Sequence, residues 1–330
     1  MSDEGEVMNQ QTTQTVGVVI PFLNEEENIP VMYQRLTAAM ASEPEQLKIY
    51  FVDDGSTDAS ARLVAELAEK DPRVKLLRLS RNFGHQIAIT AGLDYADTDA
   101  VVIIDCDLQD PPEVIPGLLA QWRAGHDVVV AVRKSRDGET WLKKFLAASF
   151  YRIFHKLAKI EVPMDAGDFR LADRKVVEAM RSVRELHRFM RGLSVWVGFK
   201  QTTVTYERAA RYAGSTKYPV WKSAKLAWDA ITSFSGAPLR WMMGAGLTVS
   251  AAGVLLALRL VFKKIFGIDE TVPGWTSQVT LLLLISGIQL MCLGLLGQYV
   301  SRLFEESKRR PLYFLQEVVD SEGSRGRDRR

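Results

Sequence analysis

Residues 101–112 read Val101-Val102-Ile103-Ile104-Asp105-Cys106-Asp107-Leu108-Gln109-Asp110-Pro111-Pro112. The apolar run reads as a buried strand. Asp110 is a good helix N-cap and the prolines suit a first helical turn, so a helix over 112–123 is expected, ending at Gly125. The acidic cluster then lies on the turn between a strand's carboxyl end and a helix, where open α/β sheets bind ligands. Asp105 and Asp107 are two apart, and Gln109 adds a neutral oxygen at the next alternate position. An all-oxygen donor set suits a hard cation, Mg²⁺ or Mn²⁺, which takes one or two carboxylates plus substrate phosphates. A solvated acidic turn uses the same residue types. The apolar run argues against it, because it presses Asp105 toward the core, where an uncompensated carboxylate is costly.

The same pattern recurs upstream. Val16 to Pro21 reads as a first buried strand, followed by Asn24-Glu25-Glu26-Glu27-Asn28 and a helix to about Ala41. That turn holds no glycine, so a dinucleotide fingerprint is absent. Ile49 to Val52 is a second strand, ending in Asp53-Asp54-Gly55-Ser56-Thr57-Asp58, with a helix to about Glu69. Val74 to Leu79 is a third strand. Ser80-Arg81-Asn82-Phe83-Gly84-His85 is a loop before a helix to Tyr95, and Val128 to Val132 is a fifth strand closed by Arg133. Strands alternating with helices predict an α/β fold with a doubly wound, mostly parallel sheet. Two acidic turns on one sheet edge predict a shared site. One would hold a nucleoside by its polar groups, and the other the metal that carries its phosphates.

A chain of 330 residues is long enough for two domains, and a net charge of +2 gives no support to a nucleic-acid partner. Cys106 and Cys292 make no disulfide framework. Residues 1–14 are polar, carry no secretory signal and are expected to be disordered. Hydropathy then splits the chain. Thr140 to Ala158 places aromatic and basic residues at helical spacing, which fits either a membrane surface or a helix packed on the sheet. Gly167 to Leu171 leads into a helix from about Arg174 to Arg181, and Val195 to Glu207 looks strand-rich. Arg211 to Pro219 is a polar loop carrying Arg211 and Lys217, before a second amphipathic segment over 219–234. Trp241 to Phe262 and Val279 to Val300 are apolar runs of about 22 residues, each long enough to cross a bilayer. The short connection predicts a two-helix hairpin with both ends on one side. Arg240, Arg302, Lys308, Arg309 and Arg310 against Lys263 and Lys264 put that side in the cytosol. The expected organisation is a disordered 1–14, a catalytic domain over 15–237 with interfacial helices, two spans within 238–302, and a cytosolic tail over 303–330.

Together the motifs resemble a known family. Val18 to Pro21 with Asn24-Glu25, Val52 to Asp58, and Asp105 to Glu113 are similar to the inverting family 2 glycosyltransferases of GT-A fold. Arg81-Asn82-Phe83-Gly84, Ala91-Gly92-Leu93-Asp94 and Gly167 to Leu171 narrow the resemblance to polyprenyl-phosphate (dolichyl-phosphate) sugar synthases. Ser233-Phe234-Ser235, Pro238-Leu239-Arg240 and the hairpin bring it nearest the bacterial bactoprenol glucosyltransferases.

The resemblance implies a donor site of Pro21, Glu25 and Asp53 around base and ribose, with Asp54, Arg81 and Asp105 beside them. It implies Mg²⁺ or Mn²⁺ on Asp105, Asp107 and Gln109. Arg133, Arg211 and Lys217 would meet phosphate charge, the last two at the acceptor. Asp168, Asp107 and Arg133 would form the catalytic set. The implied partners are a nucleotide sugar, UDP-glucose first, a polyprenyl phosphate, the inner membrane that a multi-pass chain would occupy, and further copies of this chain in a homo-oligomer. A guanine-nucleotide mannosyl transferase of the same fold stays open, since the base pocket is not legible. A membrane scaffold without turnover would be expected to show degenerate carboxylates, and these are all present. A lipid phosphate is already ionised near neutral pH, so Asp168 is expected to position, holding Arg170 or the sugar, rather than to act as a base.

Overall fold

The computed structural model describes residues 14–134, 166–186, 188–207, 237–266 and 274–321. The amphipathic segments 140–158 and 219–234, Arg211 and Lys217, residues 1–13 and the chain after 321 lie outside them.

Strands β1 (Thr15–Phe22), β2 (Gln46–Asp53), β3 (Val74–Leu79), β4 (Ala100–Ile103), β5 (Val128–Arg133), β6 (Ala166–Asp173), β7 (Gln201–Tyr206) and β8 (Leu315–Val319) form one sheet. Their order is β7-β5-β6-β4-β1-β2-β3-β8. The pairs β1/β2, β1/β4, β2/β3 and β5/β7 are parallel. The pairs β4/β6, β5/β6 and β3/β8 are antiparallel. The mostly parallel expectation therefore meets two reversed strands, β6 and β8.

Helices cover both faces. On one face, Val16, Val18 and Ile20 of β1 pack with Ile29, Met32 and Leu36 of α1 (Ile29–Met40), Val64 of α2 (Ser60–Lys70) and Leu118 of α4 (Ile115–Arg123). On the other, Val19 of β1 packs with Ala88 and Ile89 of α3 (His85–Tyr95), Val176 and Met180 of α5 (Arg174–Ser182) and Leu193 of α6 (Met190–Trp196). Adjacent residues of one strand serve opposite cores, which is why these strands are apolar without alternation. Helix α3 lies very close to the sheet at Gly92. A Cβ there would come within 2.3 Å of Val19 Cγ1.

Two local expectations are corrected and one is extended. Asp110 does not cap a helix: a single 3-10 turn, Pro112–Val114, precedes α4, and its cap residue is Pro111. Gly167 to Leu171 does lead into a helix, α5 from Arg174, and is itself the body of β6, whose Phe169, Arg170 and Leu171 are buried. The region expected to be strand-rich from Val195 starts with the end of α6 and becomes β7 only at Gln201.

The chain divides into two units, Met1–Tyr218 with Pro311–Arg330, and Pro219–Arg310. The second contains the long helices α7 (Ala237–Ile265) and α8 (Trp275–Ser307). Side chains are described at only part of their positions, and among the described residues no helix is long and apolar enough to cross a membrane. The segment after α8 does not remain a tail throughout. Leu76, Leu77 and Arg78 of β3 pair with Val319, Val318 and Glu317 of β8, and Tyr313 Oη donates to Asp94 Oδ2 at 2.9 Å. This strand covers an edge of β3 that would otherwise expose unpaired backbone groups.

The contact at Gly92 gives a first expected outcome. Gly92→Ala should cost about 1–3 kcal/mol through overpacking and lower the midpoint of thermal unfolding. An unchanged midpoint would mean that α3 does not lie this close to β1.

Candidate active site

The carboxyl ends of β1, β2 and β4 point to one sheet edge, and the loops there are tied together by side chains. Asn24, in the left-handed region at φ 56°, accepts from Thr57 N at 2.8 Å. Asn24 N donates to Ser56 Oγ at 3.0 Å, Glu25 N to Ser60 Oγ at 2.8 Å, and Ala59 N to Glu26 Oε2 at 3.0 Å. The Glu25 carboxylate accepts from Asn28 Nδ2, and Pro21 is buried in β1.

Asp53 is wholly buried. Its Oδ1 accepts from Ser56 N at 2.8 Å, and Oδ2 faces Arg78 Nε at 3.2 Å in an ion pair whose angle falls short of a hydrogen bond. Asp54 accepts from Phe83 N at 2.7 Å and Gly84 N at 3.0 Å. Burial pushes its carboxyl up, against the pull of those two N–H groups. Gly55 has φ 82°, and a Cβ there would lie 2.7 Å from Asn82 N, so only glycine fits this turn against the next loop. In that loop Arg81 stacks on Phe83 with its guanidinium carbon 4.0 Å from the ring centre.

Asp105 and Asp107 lie directly beyond β4. Leu108 is buried at φ 60°, an uncommon conformation for this residue type, and Gln109 N donates back to Asp107 Oδ1 at 3.1 Å. Asp105 Oδ1 is buried, has no hydrogen-bond partner among the described residues and lies 3.4 Å from His85 Nε2. Burial raises the Asp105 carboxyl to about 6, His85 opposing and the charges of Asp168, Asp110 and Asp107 adding to the rise. A divalent cation would supply what this oxygen lacks, so the residues present fit one. Among the described residues no three His, Cys, Asp or Glu side chains gather into a metal cage. Substrate oxygens and water would have to complete the shell, as is usual for Mg²⁺.

Asp168 reaches this edge because β6 runs backwards. Ile103 pairs with Arg170 and Val132 with Ala166, so the start of β6 lies against the ends of β4 and β5. The Asp168 side chain is 4% exposed. Arg191 Nε donates to Oδ1 at 2.9 Å, Gln86 Nε2 to Oδ2 at 3.1 Å, and His85 Nε2 is 3.3 Å from Oδ2. Burial alone would raise this carboxyl, but the His85 hydrogen bond and the charges of Arg191 and Arg170 outweigh it and hold the carboxyl well below the usual range. His85 is raised in turn: the Asp168 hydrogen bond and the charges of Asp105 and Asp168 outweigh its own burial and the charge of Arg191. Arg170 is not held by the Asp168 carboxylate as expected. Its Nε donates to the Asp168 carbonyl at 3.2 Å and Nη2 to the Gly167 carbonyl at 2.8 Å.

Arg133 flanks this cluster, its Nη2 lying 3.2 Å from where a Cβ on Gly167 would stand. Its Nε donates to Tyr206 Oη at 3.2 Å, its Nη2 lies 3.4 Å from Asp110 Oδ1, and Tyr206 donates to the same Asp110 oxygen. Motif reading missed His85, Gln86 and Arg191. His85 and Gln86 follow the loop at the end of β3, a positional hint, whereas Arg191 lies 23 positions after Asp168 on a short helix with no telling spacing.

Residues 17–181 match glycosyl transferase family 2. The chain is 48% identical to the uncharacterized glycosyltransferase YkcC of Bacillus subtilis, over 93% of this chain and 95% of that protein. It is 41% identical to the bactoprenol glucosyl transferase of Shigella phage SfV, over 91% of this chain and 97% of that protein. It is 40% identical to a prophage bactoprenol glucosyl transferase homolog of Escherichia coli, over 92% and 99%.

The chain belongs to glycosyl transferase family 2. In such an enzyme a carboxylate at the site can act as base or as anchor. A group already held ionised by Arg191, Gln86 and His85 is a poor proton acceptor near neutrality. Because its folded value lies below its unfolded value of about 3.9, its contribution to stability is complete above about pH 4 and is lost only as pH falls further. The expected sugar-transfer rate of this family 2 glycosyltransferase therefore has no limb from Asp168 above about pH 5, and Asp168→Asn should be slower with an unchanged profile. A wild-type limb that disappears in the variant would make Asp168 the base.

Proposed function

We propose that this family 2 glycosyltransferase moves glucose from UDP-glucose to a polyprenyl phosphate, with inversion at the anomeric carbon, at a membrane surface. The observation that carries this is the similarity to bactoprenol glucosyl transferases along more than nine-tenths of the chain, hydrophobic helices included. The chemistry of the site is consistent with it. A lipid phosphate carries about −1.5 to −2 charges near neutral pH and needs no base to become a nucleophile. That agrees with the absence of a proton-accepting task for Asp168.

Asp105 and Asp107, with Gln109, would hold Mg²⁺ or Mn²⁺, which on binding offsets the charge of a departing diphosphate. The loops of Asn24 to Asn28 and Asp53 to Ser60 would enclose the nucleoside, with Pro21, Glu25, Asp53 and Asp54 shaping its walls and Arg81 at the rim. Arg133, joined to Asp110 and Tyr206, would place one cation near the phosphates. Arg211 and Lys217 would meet the acceptor phosphate, since a planar guanidinium and a compact ammonium both suit it.

Helices α7 and α8, with the runs Trp241 to Phe262 and Val279 to Val300, would form a two-span hairpin. Two facts support that reading. Many of their described apolar side chains, Met243, Leu247, Leu255, Leu281, Leu290 and Met291 among them, are more than half exposed. In addition, β8 follows α8 and lies in the same sheet as β1, so the chain must cross an even number of times. The site would then face the cytosol, where nucleotide sugars are available, and copies of the chain would associate in the membrane.

Two outcomes follow. Membranes containing the protein should make labelled lipid from UDP-glucose and not from GDP-mannose. EDTA or Asp107→Asn should abolish this, with Mg²⁺ or Mn²⁺ restoring the chelated enzyme only. Full activity in EDTA would remove the metal from the proposal, and labelling from GDP-mannose alone would replace the donor. For the hairpin, a cysteine placed at Asp269 in a Cys292→Ser background should react with an impermeant reagent on intact cells, and one at Ser324 should not. The reverse pattern would invert the topology.

A further inference from the structure

Asp168 is anchored by more than its own strand needs. The first turn of α3 contributes His85 and Gln86, and the first turn of α6 contributes Arg191. Gln86 also ties the two helices together, its Oε1 accepting from Met190 N at 2.8 Å. Behind Arg191, its carbonyl accepts from Ser194 Oγ at 3.1 Å, and that hydroxyl accepts in turn from Arg170. Arg170 donates back to the backbone of Gly167 and Asp168. The result is a closed ring, Asp168 to Arg191 to Ser194 to Arg170 and back to β6.

Stability does not require such a ring. A buried carboxylate–guanidinium pair is no more stabilising than apolar groups of the same volume, whereas removing one partner strands a charge. A held charge is better explained by what lies beside it. Asp168 is one imidazole away from Asp105, since His85 Nε2 stands 3.3 Å from Asp168 Oδ2 and 3.4 Å from Asp105 Oδ1. With Asp107, three carboxylates then share an edge to which a diphosphate and, on the reading above, an anionic acceptor must come.

We propose that Arg191 is the positioning residue of this site: its two-point grip on Asp168 neutralises and orients that carboxylate so that an anionic acceptor can approach beside Asp105 and Asp107. The grip is the pair Nε–Oδ1 at 2.9 Å and Nη2–Oδ2 at 3.4 Å, with the Arg191 side chain 32% exposed. This inference rests on the anionic acceptor proposed above.

The test is a double-mutant cycle on the full-length protein in detergent, with Arg191→Gln, Asp168→Asn, both together, and Arg191→Lys. Arg191→Gln should lower kcat by about a hundredfold, the scale of a misplaced group at a reacting centre. It should raise KM for polyprenyl phosphate by about tenfold while KM for UDP-glucose stays within about threefold. Arg191→Lys should recover part of kcat, because it keeps the charge but not the fork. In the Asp168→Asn background, Arg191→Gln should change the rate by less than about threefold, since the charge it neutralised is gone.

Equal losses in both backgrounds would overturn the inference. So would a parallel rise of both KM values with kcat intact, or a rate loss that merely follows the thermal midpoint and disappears on cooling. If the wild-type protein transfers no glucose to polyprenyl phosphate, the preceding reading fails. The same cycle is then read from thermal midpoints, where additive shifts would dissolve the Arg191–Asp168 pairing itself.

Discussion

The antiparallel ladder between β4 and β6 is the constraint on which the site depends. Parallel strands bring only their carboxyl ends to the ligand edge of a sheet. A strand running the other way brings its beginning. Inserting β6 between β4 and β5 therefore sets Asp168, the third residue of its strand, beside Asp105, which follows the end of another. The register of Ile103 with Arg170 carries this placement, and enclosure on both faces keeps the register from slipping, because a one-residue shift would exchange Phe169 with its charged neighbours.

Once two carboxylates are brought together at a buried edge, the surrounding structure is governed by charge compensation. Asp168 receives its compensation from protein groups and stays ionised. Asp105 receives little, and its orphaned oxygen is the place where a cation from solution would be most effective. Unequal environments thus divide these neighbouring carboxylates into one that protein groups hold ionised and one whose charge they leave largely uncompensated. Asp53 and Asp54 illustrate a third task. Both are buried, and both hold loops, through Ser56, Arg78, Phe83 and Gly84. Acidic residues at one sheet edge are therefore not equivalent, and burial with partner identity distinguishes them.

The C-terminal strand adds a second constraint, on connectivity. Strand β8 closes the β3 edge after the chain has left for α7 and α8 and returned. The sheet of the catalytic unit is thus built from segments on both sides of the hydrophobic helices. Any membrane arrangement has to keep those segments together, which ties the number of crossings to the sheet rather than to hydropathy alone.

The sequence alone made the parallel core legible. The runs at Val16, Ile49, Val101 and Val128 are continuous because each of those strands is buried on both faces, and a local pattern suffices to reveal that. It also marked Asp105 and Asp107, since a strand end followed by a paired acidic turn is a contiguous signal. It did not reveal β6, whose Gly167-Asp168-Phe169-Arg170-Leu171 looks polar. There Arg170 is buried only because carbonyls of its own strand and Ser194 of α6 receive its donors. Nor could it assign Arg191, His85 and Gln86, which meet Asp168 from separate helices. Local propensity reports which residues can enter a strand or a turn. Which distant donors satisfy a buried charge depends on the packing of α3 and α6 against β6, and tertiary structure decided that.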